Sequence, residues 1–259
     1  MLECYPLLAL TPSEQKLHYN PTTSNKAFKK GKRMSLFSIF THIATLWQLF
    51  RSWIYDTVIV KMTTVWYREV MVRVPMDANI LDVGIGTATS LLDNRDLINS
   101  KRLSVHGVDY DKGYCEKATE SVKKYKLDKS VEITCASIHD FEGGPFDVIY
   151  FAGSFMIIPD KEKALRNCVS MLKNKGVGPC TNGGGCVYFT QTFETPGIMG
   201  YAMSWIKPLL KMLLTIDFGG VTYEQDFMKV LDDAGMKVDE FKVIAGGRFR
   251  RQVLVRAIC

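Results

Sequence analysis

Apolar residues fall along this chain in two rhythms. Short runs at 79–84, 104–109, 131–135, 146–152 and 185–192 have the length and the β-branched or aromatic content of strands buried on both faces. Between and after them, apolar positions recur at helical spacing over Lys112–Tyr125, Lys161–Leu172 and Tyr223–Ala234, the last stopped by Gly235. Strands that alternate with helices in this way imply a mostly parallel sheet with helices on both faces. The rhythm then breaks. Met236–Ile244 and Arg251–Ile258 are two β-rich runs joined by AGGRFR, which signals a hairpin rather than another crossover. The predicted fold is therefore α/β, a mostly parallel seven-stranded sheet that closes with a C-terminal antiparallel β-hairpin.

The pattern upstream is different. Asp56–Val74 reads as a helix ended by Pro75, with Val58, Met62, Val65, Trp66 and Val70 in helical spacing. Before it, residues 35–50 carry no formal charge, and Leu36, Phe40, Ile43, Trp47, Phe50 and Ile54 share one helical face opposite Thr41, Thr45, Gln48 and Ser52. Such a stretch is short for a membrane span. It suits either a helix packed over the domain that follows or one lying on a membrane surface. Lys26, Lys29, Lys30, Lys32 and Arg33 just ahead of it would favour an anionic surface, so residues 26–54 are the candidate for peripheral membrane contact. Residues 1–33 have no periodicity and are expected to form a disordered basic extension. The expected organisation is thus 1–33 extension, 34–75 amphipathic or cap helices, and 76–259 the main domain.

Composition narrows the class without changing this picture. A chain of 259 residues with 47% hydrophobic and 23% charged residues is ordinary for a globular enzyme with one large core. The net charge of +6 is concentrated in the upstream run. That run lacks interleaved stacking aromatics, so a specific nucleic-acid partner is not expected. Seven cysteines, odd in number and without paired metal-ligand spacing, point to a reducing compartment. Cys180 and Cys186 bracket TNGGG and read as the ends of a loop rather than as a metal pair. Met1–Leu10 has neither a basic start nor a cleavage site. The expected location is intracellular and cytoplasmic, peripheral on a membrane surface if the upstream helix binds one.

The candidate chemistry lies where two strands end. NILDVGIGTATSL joins a buried strand to a glycine turn, where Gly84 and Gly86 permit close backbone approach to a ligand and Thr87 or Thr89 can open a helix. A glycine turn of this kind is weak alone. One crossover later SVHGVDYD delivers Asp109 to the end of the second strand, where a carboxylate can accept from both hydroxyls of a ribose, with Tyr110 alongside the base. The bland alternative is a solvated strand-end carboxylate beside a packing tyrosine. A dinucleotide dehydrogenase would continue into a sixth parallel strand and would show a third glycine where this chain has Ala88.

Taken together, these motifs resemble those of the class I S-adenosylmethionine-dependent methyltransferases, a Rossmann-like family, in consecutive order over about residues 55–259. LDVGIGTAT resembles the first motif, which implies Asp82 near the methionine part of the cofactor and Gly84, Gly86 and Thr87 beneath it. GVDYD resembles the second, with Asp109 on the ribose and Tyr110 on the adenine. CASIHDF resembles the third, where Ser137 and Ile138 would border the adenine. PFDVIYFAGSFMIIPD resembles the fourth, placing Ala152, Gly153 and Ser154 beneath the reacting centre. Ala88 departs from the usual third glycine. The implied cofactor is S-adenosyl-L-methionine, no metal is required, and the aromatic candidates beside the sulfonium are Tyr55, Trp66, Tyr67 and Phe155, of which Tyr55 and Phe155 are carried as catalytic candidates.

AGSFMIIPD lacks the Asn or Asp followed by two prolines and an aromatic that marks transfer to amide or nucleobase nitrogen in this family. It is similar to the version found with small-molecule and lipid-like acceptors. Residues 195–222, rich in Met and Leu, would form an apolar lid over such an acceptor, although their spacing equally suits core packing. Two alternatives stay open from sequence. One is a noncatalytic module on the same fold that recruits partners, and the other is a nicotinamide-dependent oxidoreductase.

Overall fold

A computed structural model describes residues 59–173, 184–197 and 221–259. Helix α1 (Lys61–Met71) leads into β1 (Asn79–Val83), two short helices α2 (Thr89–Leu92) and α3 (Arg95–Lys101), β2 (Ser104–Asp109), α4 (Lys112–Lys124) and β3 (Val131–Cys135). Then come β4 (Val148–Ala152), a 3-10 turn at Phe155–Ile157, α5 (Lys161–Ser170), β5 (Cys186–Glu194), α6 (Glu224–Asp233), β6 (Lys237–Gly246) and β7 (Arg250–Ile258). The basic run at 26–33, the amphipathic segment at 35–54, Tyr55, and most of the apolar stretch, 198–220, lie outside the described residues. No described helix is long and apolar enough to cross a membrane.

The seven strands form one sheet in the order β3-β2-β1-β4-β5-β7-β6. Neighbours from β3 to β5 are parallel, and β7 runs antiparallel to both β5 and β6. The expected hairpin is present, but its second strand inserts between β5 and its first. Side-chain character explains this. β7 buries Val253, Leu254, Val255 and Ala257, whereas β6 has no buried position and alternates Lys237, Asp239 and other exposed residues, which suits a sheet edge.

Alternate residues of the inner strands enter two separate cores. Ile80, Val105, Val148, Tyr150 and Tyr188 pack with residues of α1 to α4, while Leu81, Val83, Ile149, Phe151 and Phe189 pack with residues of α5 and α6. Burial on both faces is why these strands are continuous apolar runs in the sequence.

Helix α1 is fastened across the first of these layers. The Thr63 and Ser90 hydroxyls lie 2.6 Å apart, and Asn94 Nδ2 donates to the carbonyls of Thr64 and Ser90. At the far side of the sheet, Glu69 accepts from Lys242 and from Arg73, and Arg73 also reaches Glu240. The sequence pattern marked no helix span over 89–101, because the turn at Asp93 and Asn94 interrupts the helical spacing after one turn. Cys186, which opens β5, is disulfide-bonded, so the cysteines are not all thiols as their scatter suggested. Cys115, Cys135 and Cys168 carry free thiols.

Candidate active site

The strand order reverses between β1 and β4, and ligands of open α/β sheets bind at the carboxyl ends of the strands beside such a reversal. The loop leaving β1 turns there through two glycines that do different work. Gly84 has φ +77° and donates its amide to the Val108 carbonyl at 2.7 Å. A Cβ on it would lie 2.5 Å from Ser154 Cβ, and the Ser154 hydroxyl in turn donates to the Val83 carbonyl. Gly84 and Ser154 therefore lock the loops after β1 and β4 together. Gly86, at φ +59°, has nothing within 4 Å of where its Cβ would stand. Its surface is open to a ligand. Ala88 is left-handed at φ 58° and ψ 3° and caps α2, so it takes the backbone shape that a third glycine would otherwise supply.

Asp109 ends β2 one residue beyond the last register pair with β1, Val83 and Val108. Its Oδ2 accepts from the Gly86 amide at 2.9 Å and its Oδ1 from the Asp111 amide at 3.0 Å. Each carboxylate oxygen has two acceptor directions, so one remains on each for a pair of adjacent hydroxyls. The neighbouring Tyr110 side chain is 81% exposed, a free ring at the loop surface. Beyond β3, Ser137 Oγ accepts from the His139 amide, its carbonyl accepts from Asp140 and Phe141, and the buried Ile138 gives its carbonyl to Asn167 Nδ2. These bonds fold 136–141 into a compact turn on the same edge. Thr87 and Thr89 pair their hydroxyls at 2.9 Å beside Gly86.

Asp82 sits deeper, on the face of β1 that meets α1. It is 1% exposed, its Oδ2 accepts from the Tyr67 hydroxyl at 2.7 Å, and its Oδ1 is buried without a hydrogen-bond partner. Burial pushes its carboxyl up to about 7, against the Tyr67 hydrogen bond and with help from the nearby negative Asp109. Tyr67 meets Tyr150 edge to face at 5.0 Å, and the Tyr150 hydroxyl lies 2.8 Å from Thr190 Oγ1. Burial holds the Tyr150 phenol well above its ordinary range.

At the end of β4, half-buried Ala152 leads into Gly153, whose amide donates to the Thr190 carbonyl and whose open side faces the Trp66 ring, 3.1 Å from where a Cβ would stand. Trp66 is held by its Nε1 bond to Gln252 Oε1 at 2.9 Å. Phe155 takes another position. It is 1% exposed, with its ring packed among Phe151, Phe189 and Phe227. A ring enclosed on these sides supports the core and offers no face to a sulfonium. Among the described residues, Trp66 and Tyr67 of α1 are brought to this edge beside Gly153 and Asp82, and their place on a helix gave no means of ranking them above Phe155. Among the described residues, no group of His, Cys, Asp and Glu could hold a metal ion. Two surface depressions lie elsewhere, one between α5 and α6 and one at the amino ends of β1 to β3, and neither contains these residues.

Residues 80–176, which carry every one of these strand-end groups, match the family model described as a methyltransferase domain. The match spans 97 of the 259 residues and makes this part of the chain similar to a methyltransferase domain. Solved structures agree on the fold. A SAM-dependent methyltransferase from Aquifex aeolicus is 19% identical, over 74% of this chain and 89% of that one, at a TM-score of 0.54. Geranyl diphosphate C-methyltransferase from Streptomyces coelicolor A3(2) is 12% identical, over 76% and 78%, at 0.56. The 4+2 cyclase SpnF is 13% identical, over 75% and 79%, also at 0.56. At such identities the likeness is one of fold, and the cyclase shows that the fold carries other work too. No curated protein matches this chain in sequence.

Proposed function

We propose that the protein transfers the methyl group of S-adenosylmethionine to a small-molecule or lipid-like acceptor by in-line displacement. The observation that carries the reading is the Asp109 carboxylate, fixed by two backbone amides with one acceptor direction left on each oxygen beside the open surface of Gly86. That geometry fits a vicinal diol. Gly84, Gly86 and Thr87 support the methionine side, with Asp82 behind them. Tyr110, Ser137 and Ile138 flank the adenine. Ala152, Gly153 and Ser154 form the floor of the reacting centre, and Trp66 walls it. Tyr55, ahead of α1 in the sequence, stays in the proposal as an aromatic candidate beside the sulfonium, whereas Phe155 does not.

S-adenosylmethionine supplies a methyl already activated by its sulfonium. The protein's part is to hold the acceptor's lone pair in line and to keep water out. A dinucleotide fits less well. Its pyrophosphate needs the N-terminus of a substantial helix, and α2 has only four residues. The absence of the Asn or Asp with two prolines after β4, the apolar composition of 195–222, and the geranyl diphosphate enzymes among the similar structures support a small or lipid-like acceptor.

Calorimetric titration with S-adenosylmethionine, S-adenosylhomocysteine and NADH should give binding of the first two alone. Transfer of labelled methyl to a panel of amines, phenols and isoprenoids should then place label in an extractable product. Binding without transfer to any acceptor would favour a partner-recruiting module, and binding of NADH alone would overturn the reading. Residues 26–54 are proposed to touch anionic membranes. Changing Lys26, Lys29, Lys30, Lys32 and Arg33 to Gln should then lower co-sedimentation with phosphatidylserine vesicles, and equal sedimentation would remove the membrane from the proposal.

A further inference from the structure

Two free thiols grip the peptide that presents Asp109. Cys115, in the first turns of α4, is buried and its Sγ donates to the Asp109 carbonyl at 3.3 Å. Cys135, the last residue of β3, is exposed, pairs in register with Asp109, and directs its Sγ toward the Tyr110 carbonyl at 3.9 Å. Burial, reinforced by the neighbouring Cys135 side chain, pushes the Cys115 thiol up to about 12. Cys115 is therefore protonated at neutral pH, while Cys135 is the sulfur that solutes reach. The Asp109 carbonyl held by Cys115 also accepts from the Ala136 amide at 2.9 Å. A change at either sulfur thus bears on the loop whose amides orient the ribose-binding carboxylate. Methyl transfer as proposed uses neither thiol.

We propose that Cys115 and Cys135 form a reversible oxidation site which, when joined as a disulfide, loosens the grip of the Asp109 loop on the cofactor. The oxidant is a hydroperoxide. Cys135 sulfur attacks the distal oxygen, the O–O bond breaks, the alcohol or water leaves with one proton, and a sulfenic acid remains. Cys115 sulfur then attacks that sulfur, its proton leaves with the hydroxyl as water, and the S–S bond forms. Two thiols lose two hydrogens and two electrons, and the hydroperoxide takes up both. A disulfide fixes the two sulfurs at bonding distance with a restricted dihedral, so Cys115 leaves the Asp109 carbonyl and the first turns of α4 are drawn toward the end of β3. Asp111, which caps that helix and pins Asp109 Oδ1, moves with them. Linkage makes the effect reciprocal, so bound cofactor shifts the thiol–disulfide equilibrium toward the two thiols.

The inference rests on the placing of Asp109 at the ribose, and the test separates the two. Full-length protein treated with hydrogen peroxide should yield a linked Cys115–Cys135 peptide by mass spectrometry. Amide exchange at Gly86 and Asp111 should quicken, and affinity for S-adenosylhomocysteine should fall about tenfold, a common size for coupling between sites. Dithiothreitol should restore all three. Cys135→Ser should bind as the reduced protein does and ignore both reagents, which excludes the Cys186 bridge as the cause. Absence of the linked peptide, or a linked peptide with unchanged exchange and affinity, overturns the switch. An error in the ribose assignment would show differently, as undiminished affinity in reduced Asp109→Ala.

Discussion

Asp82 and Asp109 stand on neighbouring strands at one edge of the sheet, and a small difference in register gives them opposite properties. Asp82 lies inside the sheet, paired with Gly107 on one side and Tyr150 on the other. Asp109 lies past the end of β1, where the amides of the turning loops can reach it. The first carboxyl is sealed with one oxygen unpartnered and holds its proton to about 7. The second is met by a backbone donor on each oxygen. Depth relative to the strand ends, rather than residue type, decides which carboxylate can bind a ligand and which stores a burial cost.

The largest test of this contrast is the pH dependence of stability. Asp82 rises from 3.8 to about 7 on folding. Below the unfolded value both states hold the proton. As pH rises from about 4 the unfolded chain releases it while the folded chain keeps it, so stability is lost until the folded group also ionises near 7. A shift of that size corresponds to on the order of 4 kcal/mol. Urea unfolding of wild type and Asp82→Asn between pH 4 and 8 should show their stability difference change by about that amount, against the wild type as pH rises. A flat difference would mean that Asp82 is solvated in the native state.

The two glycines sharpen the comparison at the next level. Gly84→Ala combines a left-handed residue with a Cβ 2.5 Å from Ser154, which should cost about 3 kcal/mol of stability. Gly86→Ala meets no protein atom within 4 Å and should cost about 1 kcal/mol from backbone strain alone. Cofactor affinity should reverse the contrast, because a methyl at Gly86 would enter the space proposed for the ligand. If both variants lost stability equally, the two positions would not be divided between packing and access. Asp109→Ala comes next in size. It should leave the fold intact and weaken S-adenosylhomocysteine binding by about 1.5 to 3 kcal/mol in calorimetry, as loss of charged hydrogen bonds does. Unchanged affinity would displace Asp109 from the ribose.

Much of this edge was legible in the sequence because it is made of strand ends. The runs ending at Val83, Asp109 and Ala152 are largely buried on both faces, so their apolar composition marked them, and the parallel order brought Asp82, Asp109, Ser137 and Gly153 to one side. Contacts between elements were not legible. Trp66 and Phe155 are both aromatic residues in apolar surroundings, and only the packing of α1 across the sheet brings Trp66 to Gly153 and leaves Phe155 among Phe151, Phe189 and Phe227. The insertion of β7 between β5 and β6 escaped for a similar reason. A hairpin signal fixes which strands pair with each other but does not say which of them meets the sheet.

Ala88 gives the smallest effect and a separate check on the loop. It was the one departure from the glycine pattern, and it adopts the left-handed backbone while 2% exposed at the head of α2. Ala88→Gly should relieve about 1 kcal/mol of left-handed strain. It should also forfeit about 0.8 kcal/mol from a buried methyl and add about 0.4 to 1 kcal/mol of unfolded-chain entropy. The sum should leave stability within about 1 kcal/mol of wild type, slightly lower, and cofactor selectivity unchanged. NADH binding should not appear, because restoring the third glycine does not lengthen the four-residue helix that would have to face a pyrophosphate. A loss well above 2 kcal/mol would mean that the Ala88 methyl is a core contact first. Acquired NADH binding would show that the glycine count, rather than helix length, had set the cofactor class.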